Sequence, residues 1–204
     1  MCIRDRVEGW ELIGSTQIQG RASLGGNLCN ASPAGDSVPA MVAAGMSVNI
    51  AGPNGRRTIA VEDVTVAPGR TSLEKGEFVV SFNLPARPER GGDAYLRLIP
   101  RTEMDIAVAG AGVSVTLDSS GKCTAARVAI GAVAVTALLV REAAEALIGT
   151  AVDEQALDAA AAAASAAAKP ITDRRGTAEY RTHVVGVLVK RAAKIAAERA
   201  RGVK

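Results

Sequence analysis

The stretch DIAVAGAGVSVTLDSSGKCTAARVAIGAVAV, residues 105–135, alternates small and branched apolar residues in two runs separated by Ser-Ser-Gly-Lys. Period-two alternation rich in valine suits a pleated surface, and a Gly/Ser cluster ends a strand, so the stretch predicts an antiparallel pair joined by a polar turn. Upstream, Asn54-Gly55 stands between SVNIA and RRTIAV, where Val48, Ile50, Ile59 and Val61 alternate with polar positions. Both turn residues tolerate positive φ, which predicts a hairpin. GEFVVSFNLP reads as a further strand, stopped by Pro85 and the loop ARPERGGDA. A domain boundary is expected in that loop, dividing residues 14–91 from 92–201; residues 1–13, opening MCIRDRVEGW, read as a non-native or disordered start. From Thr136 the apolar period shifts from two to 3.6. One helix is expected over residues 140–148, closed by Gly149, and a second is capped by Asp153 and runs through the alanines to Lys169, where Pro170 stops it. A third lies in TAEYRTHVVGVLVKRAAKIAAERA, with Tyr180, Val184, Val187, Leu188 and Ile195 on its apolar face. The class is therefore α+β, an antiparallel sheet with helices.

At 204 residues, 48% of them hydrophobic, the chain can bury a substantial core. Aromatics make up 2%, leaving little from which to build base-stacking platforms, so nucleic acid is not an expected partner. The net charge of +3 is uneven: residues 169–204 carry ten Lys or Arg against three acidic residues. A basic C-terminal element follows, read as the wet face of a helix or a dock for an acidic partner. The three cysteines, Cys2, Cys29 and Cys123, are far apart and His183 is the single histidine. No zinc site or cysteine-ligated iron–sulfur cluster can be assembled from that set, and the odd cysteine count suits a reducing, cytoplasmic setting. The longest apolar run, residues 128–140, is shorter than a transmembrane helix of about 20 residues.

Residues 19–40, QGRASLGGNLCNASPAGDSVPA, hold four glycines, two asparagines, three serines and an aspartate. Adjacent Gly25 and Gly26 let a backbone turn present N–H groups and let another molecule approach without meeting a Cβ. Ser23, Asn27 and Asn30 add donors and acceptors, and Asp36 adds an acceptor suited to sugar hydroxyls. On this chemistry the segment is either a tight turn or a cofactor cradle. The sequence has no G-x-G-x-x-G, and GWELIGST has P-loop glycine spacing without its lysine.

SLGGNLCNASPAGDSVPAMVAAG resembles the second flavin-binding motif of the FAD subunit or domain of molybdenum hydroxylases, the group containing xanthine dehydrogenase and the medium subunit of aerobic carbon monoxide dehydrogenase. EKGEFVVSFNLP, AYLRLIPRTEMDIAVAGAGVSV, ARVAIGAVAVTALLVREAAEALIG and DRRGTAEYRTHVVGVLVKRA resemble later landmarks of the same family, in order. The resemblance implies the C-terminal part of a PCMH-type FAD-binding domain over residues 14–91, then a CO dehydrogenase flavoprotein C-terminal-like domain over 92–201. It implies FAD as cofactor, with Ser23, Leu24, Gly25, Gly26 and Asn27 along the flavin and its diphosphate and Asp36 near the ribityl or ribose hydroxyls. Val80, with Val79 less well aligned, falls near the isoalloxazine. Arg97 stands where relatives often have lysine, as a cation for the reduced ring. Tyr95 reads either as a ring neighbour or as a half-buried strand tyrosine. Val64 and Thr65 replace an aromatic pair frequent in the family, and Gly20 replaces a frequent asparagine.

The first flavin-binding motif of the family has no counterpart ahead of this segment, so the chain is expected to lack an N-terminal subdomain of roughly a hundred residues and to be inactive alone. The resemblance further implies an electron-transfer subunit, itself without catalytic or metal-binding residues. Its expected partners are an iron–sulfur small subunit and a molybdenum-cofactor large subunit, arranged as a dimer of heterotrimers, with electrons leaving to NAD or a quinone. The alternative is a non-catalytic interaction module of the same fold that has lost its flavin. Cys29 reads as a small packed thiol and His183 as a surface or packing residue. Asp173, Arg174, Arg175 and Arg181 are read as a capping and salt-bridge group.

Overall fold

The computed structural model describes residues 9–102 and 104–202. The first part of the expected non-native start, residues 1–8, and with it Cys2, lies outside the described residues. In chain order the elements are α1 (Thr16–Gln19), α2 (Leu24–Cys29), α3 (Ser37–Ala43), β1 (Ser47–Gly52), β2 (Gly55–Ala60), a 3-10 turn (Val61–Asp63), β3 (Thr65–Ala67), β4 (Arg70–Thr71) and β5 (Phe78–Asn83). They continue with β6 (Gly91–Leu98), β7 (Ala109–Leu117), β8 (Cys123–Gly131), β9 (Leu138–Leu139), α4 (Arg141–Glu145), α5 (Glu154–Ala167) and α6 (Ala178–Ala200).

The stretch 105–135 folds as its alternation predicts. β7 and β8 pair antiparallel at the centre of a four-stranded sheet of order β6-β7-β8-β9. Asp118 closes their turn, its Oδ1 accepting the N–H groups of Ser120 and Lys122 at 2.8 and 2.9 Å. Alternation then sorts the two faces. Ala109, Ala111, Val113 and Val115 join Val128 and Ile130 in a core shared with α4, α5 and α6. On the opposite face, Gly112 and Gly131 lie beneath α3: a Cβ on Gly112 would stand 2.6 Å from the Pro39 carbonyl, and one on Gly131 would stand 2.5 Å from Pro39 Cγ.

Every residue of α3 is buried. Its Val38, Met41 and Val42 form a second core with Leu28, Val48, Ile50, Val61 and Val64. Burying side chains of that size is worth about 1.5–3 kcal/mol each, so α3 is held from both sides by the hydrophobic effect and needs no cap of its own. Above it lies a three-stranded antiparallel sheet, β2-β1-β5. The predicted hairpin is there, but Gly52 pairs with Gly55, so the two-residue turn is Pro53-Asn54, and of Asn54 and Gly55 only Gly55 takes positive φ (+110°). Pro53 fixes the first turn angle and shifts the turn by one residue. In β5, Ser81 pairs with Asn49 and Val79 with Ile50, which leaves Val80 as the extra residue of a bulge.

The helical caps follow the sequence: Asp153 Oδ1 accepts the Ala156 N–H at 3.0 Å and Thr177 Oγ1 that of Tyr180 at 3.1 Å. α5 stops at Ala167, two residues early, because the Lys169 N–H turns away to the Val133 carbonyl at 2.8 Å. The helix expected over 140–148 is shorter, Arg141–Glu145 followed by turns, and Gly149 closes it at φ +83°. The buried face of α6 differs from the one expected. Tyr180 is exposed and Val184 and Ile195 are only partly covered, whereas Val185, Val189, Ala192, Ala193, Ala196 and Ala197 are buried with Leu188 in the core shared by the sheet and α5. Distance is the physical reason. A Cβ on Gly92 of β6 would stand 2.0 Å from the Ala196 carbonyl, so helix and strand backbones touch and only alanines fit between them.

Candidate functional site

Ser23 caps α2, its Oγ accepting the Gly26 N–H at 3.0 Å. Gly25 and Gly26 therefore sit in the first turn of a helix with ordinary negative φ, rather than in the looser turn their adjacency suggests. The leading N–H groups of a helix have no partner within it; Ser23 takes that of Gly26, which leaves those of Leu24 and Gly25 at a turn that carries two residues without side chains. A Cβ on Gly25 would meet nothing within 4 Å among the described residues. Glycine in a helix costs about 0.5–1 kcal/mol relative to alanine. Neither the backbone angle nor the packing of this chain requires glycine at position 25, so the bare turn is a feature the fold bears rather than uses. Gly26 has a partial intramolecular reason, since a Cβ there would crowd Ser23 Oγ at 3.1 Å.

Leu28 anchors α2 in the second core, and Asn27 ties it to the next helix: Asn27 Oδ1 accepts from Ser37 Oγ at 2.6 Å. One residue before Ser37, Asp36 makes no capping bond to its own helix. Its carboxylate turns instead to β6. Oδ1 accepts from the Tyr95 hydroxyl at 3.1 Å and Oδ2 forms an ion pair with Arg97. Asp36 and Tyr95 are buried at 8% and 4% exposure. Burial pushes the Asp36 carboxyl up from its ordinary value against the opposing pull of Arg97, and pushes the Tyr95 phenol well up, with the Asp36 charge adding to it. Tyr95 is held by small neighbours: a Cβ on Gly110 would stand 2.8 Å from its hydroxyl and one on Gly9 3.4 Å from its ring.

The fold thus brings Asp36, Tyr95 and Arg97 together and joins them through Ser37 and Asn27 to the Ser23–Leu24–Gly25–Gly26 turn. Val80 stands elsewhere, exposed at the bulge of β5, while Val79 packs against the second core. Cys29 is partly buried, and burial pushes its thiol up from its ordinary value. His183 is exposed on α6. The Asp36–Arg97 pairing was not legible from either residue's spacing; the one available signal was that both are charged positions in otherwise apolar surroundings.

The donor set fits a dinucleotide cofactor such as FAD. The Leu24 and Gly25 N–H groups on a bare glycine turn suit a diphosphate, Asp36 retains acceptor capacity beyond its two present donors, and Arg97 supplies a cation.

Residues 3–87 match the FAD binding domain in molybdopterin dehydrogenase, and residues 94–196 match the CO dehydrogenase flavoprotein C-terminal domain. Among curated proteins, the carbon monoxide dehydrogenase medium chain of Afipia carboxidovorans is 39% identical over 190 residues, which is 93% of this chain and 65% of that protein. A putative xanthine dehydrogenase FAD-binding subunit of Escherichia coli is 28% identical over 180 residues, 88% of this chain and 61% of that one. In a solved structure of reconstituted CO dehydrogenase from Oligotropha carboxidovorans, a chain 38% identical superposes with a TM-score of 0.89, covering 97% of this chain and 67% of that chain. The chain therefore spans somewhat under two thirds of the length of the curated relatives it matches.

Proposed function

Because the chain belongs to the family of FAD-binding flavoprotein subunits of molybdenum hydroxylases, we propose that it works as the electron-transfer flavoprotein of such an oxidoreductase complex. Electrons enter from an iron–sulfur small subunit fed by a molybdenum-cofactor large subunit and leave to NAD or a quinone. The assembly is a dimer of heterotrimers in the cytoplasm; no helix among the described residues is long and apolar enough to cross a membrane.

The observation that carries this reading is the bare first turn of α2, glycine at a helical position where the protein has no use for it. In the proposed site the backbone of Ser23, Leu24, Gly25, Gly26 and Asn27 holds the diphosphate and Asp36 the sugar hydroxyls. Tyr95 stands near the ring and Arg97 places a positive charge beside it, while Val80, exposed on β5 and outside that cluster, offers an apolar surface that the ring can cover. Bound flavin supplies the exchange between one-electron carriers and a two-electron acceptor. The chain's own residues orient the cofactor and fix its charge environment.

A second reading, an interaction module without flavin, draws support from the Asp36 carboxylate being already engaged by Tyr95 and Arg97. Titration of the chain with FAD, followed by quenching of flavin fluorescence, separates the two. Saturable binding that Asp36→Ala weakens about tenfold, the usual loss on removing a charged hydrogen-bond partner, supports the flavoprotein. No binding, with or without the family's N-terminal subdomain supplied as a separate fragment, supports the module.

A further inference from the structure

Between the 32–34 turn, the 132–135 segment after β8 and the 169–175 loop before α6 lies a cavity of about 270 Å³. None of the residues assigned above to the flavin lines it. Its polar floor is Arg181, 4% exposed, whose Nη1 donates to the Val108 carbonyl at 2.9 Å and whose Nη2 donates to Asp173 at 2.6 Å. Arg181 Nε is buried and has no hydrogen-bond partner among the described residues. Leaving a charged donor dry and unpaired is costly, so this is a feature that calls for a ligand or an ordered water. The rim is apolar in an unusual way for a wet surface: Ile106, Val135 and Ile171 are exposed at 51%, 64% and 72% and all line the same cavity. Apolar walls around a few convergent polar groups are the pattern of a small-molecule site.

Charge narrows the class. Lys169, Arg175 and Arg181 line the cavity against one carboxylate, Asp173, and Asp105 stands behind Arg175 at 3.4 Å. Asp105 is shared with Arg101 at 3.3 Å, so the lining keeps a surplus of positive charge. That surplus calls for an anion, and the isoleucine and valine walls favour a monoanion, which sheds its hydration at less cost than a dianionic phosphate. The volume suits a molecule of benzoate size. The wall is also held in a costly conformation: Ala132, at φ +62°, donates its N–H to the Pro33 carbonyl at 2.7 Å and offers its own carbonyl to Arg181 at 3.4 Å.

We propose that this cavity binds a small monocarboxylate with a hydrocarbon body, its carboxylate toward the Arg175–Arg181–Lys169 side and its body against Ile106, Val135 and Ile171. The proposal is independent of flavin binding. The test is methyl NMR of the full 204-residue chain titrated with benzoate, with neutral benzamide as the comparison. Expected are saturable shifts at the Ile106 and Ile171 methyls with the remote Ile18 methyl unmoved, and affinity for benzamide weaker by about tenfold. Lys169→Glu, a surface change that leaves the Ile130 core methyl in place, is expected to weaken benzoate by a similar factor. Equal affinity for benzoate and benzamide, an unchanged benzoate affinity in Lys169→Glu, or no saturable shift at Ile106 and Ile171 would each overturn the proposal.

Discussion

Arg97 of β6 forms a buried ion pair with Asp36, the residue that leads into α3, and so links the four-stranded sheet to the helix beneath it across 61 positions of sequence. Removing one partner of such a pair costs more than the pair itself is worth, because the remaining charge stays dry. Arg97→Met should therefore lower stability by about 3 kcal/mol near neutral pH, and Asp36→Asn in the same background should restore most of it. The pH dependence follows from the raised Asp36 carboxyl. A folded value above the unfolded one gives stabilisation that is complete below the unfolded value and is lost as pH rises through the folded value. Arg97 pulls the Asp36 carboxyl down against burial, so its removal raises the folded value further, and the Arg97→Met penalty should shrink on acidification as the variant's carboxyl takes up its proton. Urea unfolding of the single and double variants at several pH values checks this; an unchanged penalty would place the cost of Arg97→Met in packing.

Gly25→Ala isolates a ligand role from a folding role. Position 25 is helical and open, so alanine should leave stability unchanged or raise it by up to about 1 kcal/mol. If the turn receives a diphosphate, the same methyl should weaken FAD by an order of magnitude or more. Gly26 is the poorer choice, since a side chain there crowds the Ser23 cap and mixes the two effects. A Gly25→Ala protein that is less stable and binds FAD as before would show that the glycine serves the fold.

Gly92 offers the opposite case. Because the Ala196 carbonyl stands 2.0 Å from where a Cβ would be, Gly92→Ala must push α6 off the sheet, and Gly92→Val should prevent native folding. Circular dichroism and thermal melting of both variants test it; a native-like melt for Gly92→Val would mean the helix has room to move.

This contact also explains what the sequence could and could not convey. Period and capping fixed the strand pair of residues 105–135 and the starts of α5 and α6 at Asp153 and Thr177, because those signals are local. The buried face of α6 departs from the stripe of large apolar residues that period alone predicts, because the sheet lies so close that alanine fills the gap and Tyr180 and Ile195 are left toward the edge. The glycine pair was legible as a bare surface, although its helical conformation depends on the Ser23 cap and on Leu28 reaching the core. Arg181 was legible only as one member of a capping and salt-bridge group with Asp173, Arg174 and Arg175; it pairs with Asp173, and its burial depends on the Val108 and Ala132 carbonyls, which lie 73 and 49 residues away.

We propose a domain division at residues 91–92, since one cluster of buried apolar residues lies wholly within 92–201 and the other lies within residues 28–64 except for Ala129 and Ala137. The excised segment 92–201 should keep its sheet and helices by circular dichroism. It should melt below the full chain and bind a hydrophobic dye, because removing α3 uncovers Gly112, Gly131 and Ala129. An unfolded segment would show that the two cores form one cooperative unit.

Glu77 gives a prediction on the small sheet. Its Oε1 accepts from Arg57 Nε at 2.8 Å, and its Oε2 accepts from Arg57 Nη2 at 2.7 Å and from the Glu74 N–H at 2.7 Å. The Arg57 bonds first, then the Glu74 amide, hold its carboxyl down at about 2, against an ordinary value of 4.5. A depressed folded value means stabilisation that is present above the unfolded value and is lost as pH falls through the folded one. Between pH 4.5 and about 2 the wild-type chain should lose stability through this group. Glu77→Gln should start lower at neutral pH and lose less over that interval, because the amide cannot protonate and keeps only part of the Arg57 contact. Urea midpoints measured across the interval provide the check. Parallel curves for the two proteins would mean that the Arg57–Glu77 clasp forms equally in the unfolded chain or contributes nothing to holding the 72–77 turn against β2.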